Sequence, residues 1–144
     1  MQDPLRHLPG YALRRASAAM MAELAERLAP LGVRQVEASI LLVLAANPGI
    51  SQSALGKLLG IQRANMTPLA ARLEQRGLIK RTASDGRSLG LALSQQGATL
   101  AARVREQVDL HERVVTERIP PEHRPHLIPA LLALWSDEQS NKNT

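Results

Sequence analysis

The chain of 144 residues has no cysteine and no phenylalanine, and its only aromatic rings besides histidine are Tyr11 and Trp135. Without cysteine there is no disulfide, no thiol redox sensing and no zinc site with sulfur ligands. A chain of this length buries enough apolar surface to fold without such staples. With so few rings, stacking on unpaired bases has almost nothing to work with, which disfavours single-stranded DNA or RNA as a partner. Long apolar runs are missing too: the longest candidate, 40–46, falls far short of the roughly 20 residues that span a bilayer. The start, Met1-Gln2-Asp3-Pro4, has no basic stretch followed by a hydrophobic one, so no secretory leader is expected and the expected location is cytoplasmic.

Catalytic signatures are also absent. There is no Gly-rich phosphate loop and no nucleophile elbow, so the chain does not read as an enzyme. Of the four histidines, His123 and His126 lie three residues apart beside Glu122 and can share a helix face. Three loosely placed groups next to prolines read as surface residues at a helix start, so neither a metal nor any other cofactor is expected.

What the chain does have is a localised positive charge. The formal net charge is +5. Residues 51–93 carry Lys57, Arg63, Arg72, Arg76, Lys80, Arg81 and Arg87 against only Glu74 and Asp85. The rest of the chain is balanced, with eleven basic and eleven acidic side chains, so the whole excess lies in one central block. Such a block between neutral flanks points to a polyanion partner. Fifteen of the 18 basic residues are arginine, which suits forked contacts to phosphate or guanine.

Hydrophobic spacing predicts mostly helix. A first helix over 10–28 places Leu13, Met20, Leu24 and Leu28 on one face and ends at Pro30 and Gly32. A second, 34–46, turns Val36, Ile40, Val43 and Leu44 inward, and Asn47-Pro48-Gly49 forms a turn. Ser51 caps a short helix, 52–59, with Leu55, Leu58 and Leu59 toward the core. Gly60 breaks it, and a further helix from about 62 to 76 buries Met66, Leu69, Ala70 and Leu73 before Gly77. Two helices joined by a tight glycine turn are a helix-turn-helix.

Two strands follow, 78–83 and 88–93, around Ser84-Asp85-Gly86-Arg87, and Asp-Gly between strands signals a hairpin. In the second, Leu89, Leu91 and Leu93 alternate with Ser88, Gly90 and Ala92. Ser94 caps a long helix, 95–118, with Ala101, Val104, Val108, His111 and Val115 in one stripe. Pro120-Pro121 interrupts it, and a last helix between 122 and 137 is expected to bury Ile128, Leu131, Leu132 and Trp135. The fold class is thus mainly α with a small β-hairpin wing, a winged helix-turn-helix flanked by terminal helices.

Residues 51–97 resemble the winged helix of the MarR (multiple antibiotic resistance regulator) family of bacterial transcription factors. The resemblance rests on Leu69-Ala70-Ala71-Arg72-Leu73-Glu74-Gln75-Arg76-Gly77-Leu78-Ile79, on Asp85-Gly86-Arg87 and on Leu93-Ser94-Gln95-Gln96-Gly97, in that order. With the flanking helices it covers nearly the whole chain. It implies one MarR-like domain over 1–144, with a DNA-binding lobe at 34–97 and dimerisation helices at 1–33 and 98–144. It also implies a homodimer on a palindromic double-stranded operator, and a repressor that responds to a small aromatic or phenolic effector. Three features depart from the family pattern: Pro68 inside the recognition helix, a wing about two residues short, and Pro125 and Pro129 in the last helix.

On a helical wheel with Met66, Leu69, Ala70 and Leu73 buried, the opposite face is Ala64, Pro68, Ala71 and Gln75. Such small residues let a helix sit deep in a major groove. Gln62, Arg63, Asn65, Thr67 and Pro68, at its N-terminal end, are the candidates for the groove. Ser51, Lys57, Arg72, Lys80 and Arg81 are candidates for phosphate. At the wing, Arg87 suits a narrow minor groove, with Asp85 positioning it across Gly86. For the effector, the resemblance points to the N-terminal end of the chain, where His7, Tyr11, Arg14 and Arg15 are the candidates. A rival reading, a winged helix that docks an acidic protein, is separated from this one by whether the chain prefers one DNA sequence over another.

Overall fold

The computed structural model describes residues 1–83 and 89–135. The chain divides into two compact units, Met1–Asp109 and Leu110–Thr144. The first unit opens with helix α1 (Pro9–Leu28), whose starting proline occupies a position where no N–H is needed. A short 3-10 turn, Ala29–Leu31, ends at Gly32 with φ +69°. There follow α2 (Gln35–Ala46), β1 (Ile50–Ser51), α3 (Gln52–Leu59), α4 (Arg63–Gln75), β2 (Ile79–Thr82) and β3 (Gly90–Leu93). Helix α5 (Gln95–Arg118) carries the chain into the second unit, which ends with α6 (Arg124–Leu132).

The strands form an antiparallel sheet in the order β1-β3-β2, with Ile50 opposite Leu91 and Arg81 opposite Leu91 on the other side. Strand β1 is too short, at two residues, to show any alternation in the sequence, and it was not expected. It changes the character of β3, which becomes the middle strand. Gly90, Leu91 and Ala92 are all buried there, whereas Leu89 is 57% exposed, so the predicted alternation of Leu89 with the core does not hold. Only glycine fits at position 90, because a Cβ would run into the Gly49 carbonyl and the Thr82 hydroxyl.

The core of the first unit gathers around α2, which packs on α1, α3 and β3. Ile40, Leu41 and Leu44 are sealed from solvent together with Leu28, Leu55, Met66, Leu73, Leu91 and Val104. Each such side chain contributes roughly 1.5–3 kcal/mol by leaving water. The buried face of α2 is rotated from the expected one: Glu37 and Ala38 are inside, while Val36 and Val43 are only half-buried. Leu58 on α3 was expected inside and is 60% exposed. On α1 only Leu28 is buried, and Leu13, expected on the inner face, is exposed.

In the second unit, α6 starts at Arg124, inside the range expected for it, with Pro125 in its first turn where proline is tolerated, and Pro129 inside it. Ile128, Leu132 and Trp135 were expected to be buried. They are exposed, and no residue of α6 is buried within the chain. No single helix among the described residues is long and apolar enough to cross a membrane.

Candidate nucleic-acid interface

The helix-turn-helix is held by local chemistry at each junction. The Ser51 hydroxyl accepts from the Ala54 N–H at 3.1 Å and caps α3. Gly60, at φ +66°, ends α3, and the Ile61 N–H returns to the Gly56 carbonyl at 2.8 Å. The two helices cross closely at Gly56, where an added Cβ would stand 3.1 Å from the Ile61 carbonyl and 3.6 Å from Met66 Cγ. Gln62 caps α4 from the extended region, and its carbonyl accepts from the Asn65 and Met66 N–H groups, both at 2.9 Å. At the far end Gly77 adopts φ +72° and the Leu78 N–H bonds the Leu73 carbonyl at 3.0 Å, which turns the chain into β2.

With Met66, Ala70 and Leu73 buried and Leu69 half-buried, α4 exposes Gln62, Arg63, Ala64, Asn65, Thr67, Pro68, Ala71 and Arg72. All five residues assigned to the major groove are therefore exposed. Thr67 is partly committed: its hydroxyl donates to the Arg63 carbonyl and accepts from Gln52 Nε2, both at 3.2 Å. Gln52, which no local sequence signal marks, thereby joins the start of α3 to the exposed face of α4. Lys57 and Arg63 stand at a cleft of about 540 Å³ between α3 and α4.

The basic residues do not act as one block. Lys57, Arg63, Arg72 and Lys80 are exposed and form no ion pair with another described residue. Arg81 is paired with Glu74 at 3.3 Å, so its charge is already shared. Arg76 turns inward. Its Nη1 meets Glu37 Oε2 at 2.7 Å and its Nη2 donates to the Gly32 carbonyl at 2.9 Å. Asp85, Gly86 and Arg87 lie outside the described residues.

The effector candidates are brought together in part. Arg15 Nη1 donates to the Tyr11 hydroxyl at 3.0 Å, and the Arg14 and Arg15 guanidinium carbons stand 5.3 and 5.8 Å from the centre of its ring. His7 is exposed, ahead of α1. A separate cavity of about 850 Å³ lies farther along, with Met21, Ala25, Val33 and Val36 as apolar lining and Arg34 and Arg72 as its cations. None of the four candidates lines it. Among the described residues no cluster of histidine and carboxylate side chains is grouped to hold a metal.

A helix-turn-helix with a three-stranded sheet, one strand before it and two after, and an exposed basic recognition helix define a winged-helix regulator. The MarR family model matches residues 31–88. An HTH-type transcriptional repressor of Mycobacterium tuberculosis is 32% identical over 118 residues, which cover 80% of this chain and 85% of that protein. Among solved structures, the transcriptional repressor CouR bound to a 23-mer DNA duplex is 36% identical with a TM-score of 0.83, covering 90% of this chain and 94% of that one. CouR bound to p-coumaroyl-CoA is 33% identical with a TM-score of 0.84, covering 95% and 98%. The chain belongs to the MarR family of transcriptional regulators and is a regulator rather than an enzyme.

Proposed function

We propose that this chain is a homodimeric repressor that binds a palindromic double-stranded operator and releases it when a small phenolic or aromatic effector binds. The observation that carries the reading is the exposed face of α4, which joins groove-sized side chains to unpaired cations on the same lobe. Gln62, Arg63, Asn65, Thr67 and Pro68 enter the major groove. Lys57, Arg72 and Lys80 hold phosphate, assisted by Ser51 and Arg81, and Arg87 enters the minor groove with Asp85 and Gly86 shaping the wing. Self-association is supported by the apolar surface left open on each terminal segment, at Leu13 and Met21 of α1 and at Ile128, Leu132 and Trp135 at the other end. A protein with this task works in the cytoplasm, beside the DNA.

The effector class follows from shape and charge. An apolar cavity with two arginines suits an aromatic acyl group joined to an anion, and the similar CouR binds p-coumaroyl-CoA. Arg34→Ala should raise the concentration of p-coumaroyl-CoA needed to release DNA by roughly tenfold, the share of one charge-assisted hydrogen bond. If Arg15→Ala has that effect and Arg34→Ala has none, the effector lies at the Tyr11 cluster with His7, Arg14 and Arg15 instead.

The experiment for the whole reading is selection from a random double-stranded library at near-physiological salt. Enrichment of a palindrome with half-sites about one turn, ~10 bp, apart is expected. Binding that enriches no motif and fades as salt rises would reduce the lobe to a polyanion surface. On the selected operator, Arg87→Ala should weaken binding severalfold with the dimer intact; unchanged affinity would take the wing out of the mechanism.

A further inference from the structure

Pro68 stands in the second turn of α4, past the first turn where a missing N–H costs nothing. In a regular helix the N–H of residue 68 would close on the carbonyl of Ala64. Proline brings no N–H, and its ring occupies the place of that hydrogen, so the carbonyl loses its helix partner and tilts off the axis. A neighbouring hydroxyl can satisfy such a carbonyl, but Thr67, the hydroxyl next to Pro68, donates to the Arg63 carbonyl instead. The direction of tilt matters. Ala64, Pro68 and Ala71 are all exposed, opposite the buried Met66, Ala70 and Leu73. The exposed side chains at 64 and 71 are single methyl groups.

We propose that the Ala64 carbonyl, freed by Pro68, is a main-chain acceptor that reads one base in each half-site, taking the exocyclic amine of adenine or cytosine. In the major groove only those two bases offer a donor. Guanine and thymine present oxygen there, which would face the carbonyl lone pairs. Pro68 is thus a positioning residue for specificity: its ring opens the acceptor, and the backbone of Ala64 does the reading. The inference rests on the operator reading above and adds a determinant that no side chain supplies.

The test repeats the library selection with the wild-type chain, Pro68→Ala and Pro68→Ser. Both replacements restore an N–H that closes on Ala64, and both remove the ring, so agreement between them excludes an effect of the new side chain, and the amine-deleted operator tests the carbonyl itself. The wild type should enrich adenine or cytosine at one position per half-site where both variants show no preference. An operator whose base at that position lacks its exocyclic amine should then bind the wild type roughly three- to tenfold more weakly, the loss of one hydrogen bond. The same change should leave both variants' affinity unaltered. Identical motifs for all three proteins would overturn the proposal, as would thymine or guanine at the altered position, or an amine deletion that costs all three equally. If the wild type enriches no motif at all, the operator reading fails and this one falls with it. A wild-type motif indifferent to residue 68 sinks this one alone.

Discussion

Arg76→Ala should lower folding stability by roughly 3–5 kcal/mol, read as a shifted midpoint in urea or thermal denaturation. The cause is the partner it leaves behind. The Glu37 side chain is 1% exposed, and Arg76 Nη1 is its close cation at 2.7 Å. Arg34 Nε stands 3.8 Å from the other carboxylate oxygen, but Arg34 is 69% exposed and its pull is weakened by solvent. Removing Arg76 therefore strands a carboxylate in the core and also takes a donor from the Gly32 carbonyl. Glu37→Leu combined with Arg76→Met should recover most of the loss, because a buried ion pair is costly to break and close to neutral when replaced whole. A single-variant loss below about 1 kcal/mol would mean that water or Arg34 satisfies Glu37, and the tether would not be structural.

The same three groups explain why this pair matters to a regulator. Arg76 follows the last residue of the recognition helix, Glu37 lies in the first turn of α2, and Gly32 ends the turn after α1. One guanidinium thus fixes the far end of α4 against the connection between α1 and α2. Two hydrogen bonds, to the Glu37 carboxylate and the Gly32 carbonyl, make that attachment. Arg76→Lys should keep part of the stability and lose the second bond, since an ammonium lacks the planar fork.

Much of this architecture was legible because its signals are local. Ser51, Gly60, Gly77 and Ser94 each act within a few residues of their own position, so the caps and turns they form could be read in order. The limits of α5 and the buried side of α4 followed from helical spacing for the same reason. What escaped depends on partners distant in the chain. Glu37 and Arg76 are 39 residues apart, and nothing near either one announces the pairing, so the sequence shows Arg76 only as one charge of the central basic block. Leu89 looked like a core residue until the two-residue β1 turned β3 into a middle strand. Periodicity identified the apolar stripe of α6 but not its cover: Ile128 and Trp135 carry a core pattern and face solvent within one chain. Within the candidate interface, the exposed side of α4 was readable, and the Gln52–Thr67 bond that joins it to α3 was not.

Gly97→Ala should destabilise the chain by about 2 kcal/mol or more, even though alanine is intrinsically the better helix former by about 1 kcal/mol. Two effects of opposite sign meet at this position, and contact geometry decides between them. Gly97 is buried in the first turn of α5, where a Cβ would collide with the backbone carbonyl of Leu78. That carbonyl also accepts the Ser94 N–H at 3.0 Å, while the Ser94 hydroxyl donates to the Gly77 carbonyl and accepts from the Gly97 N–H at 3.0 Å. No flexible side chain is there to give way, so the backbone at the root of the wing must move. Gly10→Ala is the matched control. Gly10 sits in the first turn of α1 with open space where its Cβ would go, and the substitution should stabilise by about 0.4–1 kcal/mol. Denaturation midpoints that move in opposite directions for the two variants would confirm that backbone contact decides the sign. Equal gains would mean that α5 shifts away from Leu78 without penalty. Because Leu78 directly follows the turn that ends the recognition helix, Gly97→Ala should also weaken operator binding under conditions where the variant remains folded. Gly10→Ala should not.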